Sequence, residues 1–126
     1  MNHLILTQPP DGKLHIAWNE FLAHASFPTH YVTPGFFTDP FIRGGERFAV
    51  LAMDGEKINA VLTAVDTGDA VVSGFAVRPQ TAFRQNIDTG EAARTLLDGV
   101  KEKGGSDLTH IEFYSFIEYQ NKIIII

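Results

Sequence analysis

The chain has 126 residues, 44% of them hydrophobic and 20% charged, enough to close one hydrophobic core and too apolar for a disordered tail. With 15 acidic against 10 basic residues the net charge is −5, and no stretch gathers the basic stripe that duplex phosphates require, so DNA is not an expected partner. Cysteine is absent, which removes disulfides, thiolate catalysis and thiolate metal sites, and the chain shows neither a signal-peptide pattern nor a run of about 18 apolar residues, so the reading is a soluble, cytoplasmic protein with no membrane partner.

Leu4 to Leu6 form a short apolar run stopped by Pro9-Pro10-Asp11-Gly12, and the expectation is a first strand. From Leu14 to Ala25 the residues Leu14, Trp18, Phe21, Leu22 and Ala25 fall at i, i+4, i+7, i+8 and i+11, which is one face of a helix. Phe27 to Phe41 carries three prolines among aromatics. It suits an irregular segment with a brief helical turn, capped by Thr33 and opened by Pro34.

The stretch "RFAVLAMDGEKINAVLTAVDTGDAVVSGFAVRP" contains three β-prone runs, Arg47 to Met53, Ile58 to Val65 and Ala70 to Val77, separated by hairpin-type turns at Asp54-Gly55 and Asp66 to Asp69. An antiparallel meander is predicted. After a loop, Asp88 or Thr89 can cap a helix from about Thr89 to Lys103, with Ala93, Leu96, Leu97 and Val100 on one side and Gly104-Gly105 as its stop. "THIEFYSF" then reads as a strand that reaches its neighbour through a helix, so it is expected beside the third meander strand and parallel to it. "NKIIII" follows with no turn or cap, an edge-strand hazard unless paired, and pairing between chains through "YQNKIIII" is one expectation.

The order strand, helix, irregular segment, meander, helix, strand resembles the first two thirds of the GNAT acyl-CoA N-acyltransferase fold. The words "AWNEFLAHAS", "YVTPGFF", "RFAVLAMDGEKINAVL", "SGFAVRPQ" and "GEAARTLLDGV" resemble the N-terminal half of the Fem-type aminoacyl and peptidyl transferases. The resemblance implies an α/β (α+β) domain over residues 1–126, with a mixed, mainly antiparallel twisted sheet, helices on its faces and the later elements of the fold missing. It implies a transferase relative acting on an amine, with acyl-CoA or an aminoacyl donor as candidate cosubstrate and no cofactor established. A partial fold of this kind is expected to assemble as a homodimer.

In such transferases the loop after the fourth strand offers the amides of a helix N-terminus to a diphosphate, because unpaired N–H groups and the helix dipole favour an anion. The resemblance places that role on Val77, Ile87, Asp88, Thr89, Gly90 and Ala92. Gly90 and Ala92 take the small positions of the pattern, but Ile87 stands where Arg or Gln belongs, and Asp88 and Glu91 put negative charge where a diphosphate would dock. The plain alternative is a helix cap.

Glu112 and Glu46 are candidate general bases for acylating an amine, and Tyr114, with Ser115, stands where a leaving group would be protonated. Each also reads as an ordinary strand or loop residue. His3, His15, His24, His30 and His110 show no metal-ligand spacing, so no metal is expected. Trp18, Tyr31, Phe36, Phe37 and Phe41 suggest core, or an apolar pocket, and Arg43 and Arg47 are candidate anion anchors. Two readings stay open: a transferase relative, and a non-catalytic binding or oligomerisation module on the same scaffold. A small-ligand binder using the aromatic pocket is a third.

Overall fold

A computed structural model describes residues 1–73, 80–104, 110–115 and 120–125. Its strands are β1 (Asn2–Leu6), β2 (Ala25–Ser26), β3 (Glu46–Asp54), β4 (Lys57–Asp66), β5 (Val71–Ser73), β6 (Thr81–Arg84), β7 (His110–Ser115) and β8 (Gln120–Ile125), with helices α1 (Gly12–His24) and α2 (Thr89–Gly104). One mixed, mainly antiparallel sheet runs in the order β1-β3-β4-β5-β7-β8, and β6 pairs with both β4 and β2. The fold is α+β.

The long hairpin β3–β4 is the spine, and the helices cover its opposite faces. Phe48, Val50 and Ala52 join Ala60, Leu62 and Ala64 beneath Ala92, Leu96 and Val100 of α2. The alternate residues Ala49, Leu51 and Val61, with Ile58, pack against Trp18 and Phe21 of α1. Burial on both faces explains why "FAVLA" and "INAVLTAV" read as continuous apolar runs instead of alternating with polar residues. A bulge between Ala52 and Met53 leaves Asn59 out of register, and its Nδ2 donates to Asp54 Oδ2 at 2.7 Å.

Local chemistry sets the connections. The irregular segment holds two 3₁₀ turns, His30–Val32 and Pro34–Thr38, and the Thr33 hydroxyl accepts from the Gly35 N–H at 3.2 Å, as the Thr33–Pro34 pair predicts. Arg47 then donates to the carbonyls of Phe36, Asp39 and Ile42, gathering the segment onto β3. Gly99 is needed where α2 meets β3: an added Cβ would overlap Val50 Cγ1 and lie 3.2 Å from Val50 Cγ2.

Beyond β4 the sheet forks. β5 and β6 occupy successive stretches of the same edge of β4, Val72 opposite Val65 and Ala82 opposite Val61. On its outer edge β5 pairs with β7, Val72 beside Glu112, and the two strands run parallel as expected. The outer edge of β6 pairs instead with β2, Ser26 opposite Phe83. At the fork the Thr63 carbonyl receives the Ser73 hydroxyl at 2.7 Å and Gln80 Nε2 at 3.2 Å, while the Thr63 hydroxyl donates to the Tyr31 carbonyl at 2.6 Å. Side-chain donors thus satisfy a buried carbonyl at the break between β5 and β6.

Two expectations change. The stretch before α2 is not one loop: Thr81–Arg84 is a strand, because its register on Ala60–Leu62 buries all four residues, and only Gln85 to Asp88 connect it to the helix. The tail also pairs within the chain. β8 runs antiparallel to β7, Ile123 opposite Glu112, so the edge of β7 has an intramolecular partner. Residues 74–77 of the third meander run, Gly105 of the helix stop and Ile126 lie outside the described residues. Among the described residues no helix is long and apolar enough to cross a membrane.

Candidate functional site

The N-terminus of α2 is built by Asp88. Its carboxylate Oδ1 accepts from the Glu91 N–H at 3.0 Å and its carbonyl accepts from the Ala92 N–H at 3.1 Å. The first of these is a side-chain cap on an amide that would otherwise lack an intrahelical partner, and the second is the first ordinary bond of the helix. Glu91 adds a second carboxylate, which the N-terminal ammonium of Met1 meets at 3.3 Å.

The other residues assigned there divide by burial. Ala92 is fully buried in the core under α2, and Ile87 packs against the same core, so side-chain packing accounts for a small residue at one position and an apolar one at the other. Thr89 and Gly90 are exposed in the first turn. Val77 lies outside the described residues.

Glu112 and Tyr114 are placed by strand register. Glu112 stands beside Val72 of β5 and opposite Ile123 of β8, and Tyr114 stands opposite Asn121. The structure puts both on the strand that borders the fork. Glu46 lies elsewhere, at the start of β3, where it holds Lys103 Nζ at 2.8 Å; Asp66 meets the same ammonium at 3.2 Å. The hydrogen bond to Glu46 holds the Lys103 pKa above its usual value, and burial only partly opposes it. An ion-paired Glu46 closes the end of the sheet and is poorly placed to take a proton from an amine.

Arg47 spends its guanidinium on three backbone carbonyls, and Arg43 Nε reaches the Pro40 carbonyl at 3.5 Å. The aromatic cluster is chiefly core: Trp18 and Phe36 are fully buried, Trp18 Nε1 donates to the Val32 carbonyl at 2.8 Å, and Phe37 meets Trp18 edge to face. Phe41 lies outside it, 74% exposed. Histidines appear in local pairs, His24 with Glu20 at 2.7 Å and His30 with Asp39 at 3.1 Å. Among the described residues no three His, Cys, Asp or Glu side chains come together as metal ligands.

An open groove of about 790 Å³ lies between α1 and the turn joining β3 to β4. Lys13, Ile16, Ala17 and Glu20 form its helical wall, and Leu4, Met53 and Lys57 stand opposite. The spacing i, i+3, i+4, i+7 of those helical residues was the available signal, masked by the stronger core stripe through Trp18 and Phe21. At the Glu20 end, Arg84 clamps the carboxylate, with Nη1 on Oε2 at 2.9 Å.

Comparison of the chain with protein-family models, with curated proteins and with solved structures finds no match. The functional reading therefore rests on the residues themselves.

Proposed function

We propose that this chain is a non-catalytic binding and self-association module on a sheet that resembles the GNAT-like, Fem-type transferase scaffold. The observation that carries the reading is Asp88, whose carboxylate caps the Glu91 amide and puts a negative charge at the helix end. A diphosphate at that helix end would face Asp88 and Glu91, and like charges at contact range repel. For self-association the candidate surface is β8, the last strand in the sheet order, whose outer edge can accept a second copy.

Titration of the full chain with acetyl-CoA, followed by calorimetry and thermal shift, tests the first half. A genuine donor site would stabilise the fold by about 3 kcal/mol at a hundredfold excess over Kd; the module reading requires no shift at millimolar ligand. Gel filtration tests the second half: a dimer is expected, and removal of Ile123 to Ile126 releases monomers. A monomeric parent chain refutes self-association.

One observation favours the transferase reading instead. β5 and β7 run parallel with α2 between them in the chain, the arrangement the resemblance implies, and the strand positions of Glu112 and Tyr114 border the fork. That reading requires acetyl-CoA binding and an amine-acylating activity lost in both Glu112→Gln and Tyr114→Phe.

A further inference from the structure

The groove beside α1 has the size and chemistry of a ligand site, and we propose that it binds an amphiphilic acid: an apolar chain carrying a carboxylate head. The inference rests on the reading of the chain as a binding module and names its ligand class and site.

Three observations lead there. First, the groove holds both aliphatic side chains that are exposed among the large hydrophobics described, Ile16 at 70% and Leu4 at 39%. Among the residues whose burial is described, the other large aliphatic side chains are buried or half-buried, so there the exposure is local to one depression. Met53 and Leu14 complete an apolar floor.

Second, the rim is cationic on a chain whose net charge is −5. Lys13 and Lys57 line the groove, and among the described residues neither has a hydrogen bond or ion pair. The carboxylates nearby do not cancel them. Glu20 is committed to Arg84 and His24 and feels Lys57 only at a distance, which leaves Glu56 on the turn as the one other acid of the lining. Two ammonium groups without an ion pair, against one other carboxylate, favour an anionic head at the rim.

Third, size selects a small molecule over a protein partner. A volume of about 790 Å³ falls within the roughly 300–1,000 Å³ typical of small-ligand sites. The ten lining residues fall well short of the roughly 20–30 per side that a stable protein interface uses. An acyl chain would lie over Leu4, Ile16 and Met53 with its carboxylate at the rim that Lys13 and Lys57 line. No covalent step is involved.

Decanoate and 1-decanol, titrated separately by calorimetry into the full chain, test the site. Saturable one-to-one binding of decanoate is expected, with the alcohol weaker by about tenfold or more because it lacks the charge. The double variant Lys13→Gln/Lys57→Gln should weaken decanoate by a similar factor and leave the alcohol unchanged, while Ile16→Asp should abolish both; all these positions are solvent-exposed, so circular dichroism should match the parent. Absence of decanoate binding at millimolar concentration overturns the proposal, as does binding unaffected by either variant. If gel filtration shows Ile16→Asp converting a dimer to monomer and decanoate does not bind, the groove belongs to a second copy and the ligand proposal is also overturned. Acetyl-CoA titrated in parallel separates the two claims: its binding would refute the module reading alone, and failure of decanoate would refute the groove proposal alone.

Discussion

Arg84 on β6 and Glu20 on α1, separated by 64 positions in the chain, form a two-pronged ion pair, with Arg84 Nη1 on Oε2 at 2.9 Å and Nη2 on Oε1. The same guanidinium donates from Nε and Nη2 to the Ile58 carbonyl at 3.0 and 2.8 Å, and the side chain is only 8% exposed. One residue thus ties helix, β4 and β6 together at the end of the groove. Arg84→Met should destabilise the fold by about 1–3 kcal/mol in denaturant unfolding, because the Ile58 carbonyl loses its side-chain donors in a buried setting. Arg84→Lys should recover little, since an ammonium cannot reproduce the planar fork. Full recovery would show that charge alone sufficed.

The same pair predicts a pH dependence. The hydrogen bond from Arg84 holds the Glu20 carboxyl below its usual value of 4.5, outweighing desolvation. A carboxyl depressed on folding contributes stability above its unfolded pKa and loses it as pH falls through the folded value. The melting-temperature gap between the parent and Glu20→Gln should therefore be widest near neutrality and close below pH 4.5. Parallel melting curves down to pH 3 would remove Glu20 from the account.

Lys103 has the opposite sign. Its hydrogen bond to Glu46 raises the pKa above 10.5, with Asp66 adding to the effect, and its ammonium sits 5.4 Å from the centre of the Phe48 ring. A lysine raised on folding contributes stability that is complete below its unfolded pKa and is lost as pH rises through the folded value. Lys103→Met should lower stability by about 1 kcal/mol or less at low ionic strength. The deficit should shrink in high salt and again above pH 10.5. A deficit indifferent to both would assign the effect to packing on Phe48.

These pairings explain which parts of the molecule were legible in the sequence. The helices, the Thr33–Pro34 turn and the β3–β4 hairpin rest on local signals: periodicity, caps and an Asp-Gly turn. The parallel β5–β7 neighbours followed from the helix between them. Thr81–Arg84 carried no such signal, since a four-residue strand ending in arginine resembles a polar loop until its partner Glu20 is known. Glu46 was hidden for the same reason: its partner Lys103 lies on the far side of the fold's sequence. The sequence marked Asp88 as a cap and as a charge opposed to diphosphate, and the structure supplies the cap hydrogen bond.

The two glycines of α2 outside its last turn predict opposite outcomes. Gly99→Ala gains about 1 kcal/mol of helix propensity but drives a Cβ into the fully buried Val50, and overpacking of a core costs about 1–3 kcal/mol. The net expectation is destabilisation. At Gly90 an added Cβ would meet Arg94 Nη1 at 3.6 Å, an ordinary contact, and Asp88 Oδ1 at 3.3 Å, which asks for a small displacement that an exposed carboxylate can make while keeping its bond to the Glu91 N–H. Gly90→Ala should therefore raise the melting temperature modestly. Chemical denaturation of both variants decides the matter, and matching signs would contradict the packing argument.

Asp88 offers the sharpest separation of scaffold from anion site. Asp88→Ala removes the acceptor for the Glu91 N–H and should cost about 1 kcal/mol, the usual loss for a helix cap. Asp88→Asn keeps an oxygen acceptor and removes the charge, so its stability should stay close to the parent, short of a few tenths of a kcal/mol from the helix dipole. If the amides of α2 were a suppressed anion site, Asp88→Asn would acquire affinity for sulfate or acetyl-CoA once the repelling charge was gone. The cap reading predicts no such gain, because the asparagine oxygen still fills the place an anion would need and Glu91 still stands beside it. Calorimetric titration of Asp88→Asn with both anions measures this, and saturable binding would return the helix end to the list of functional surfaces.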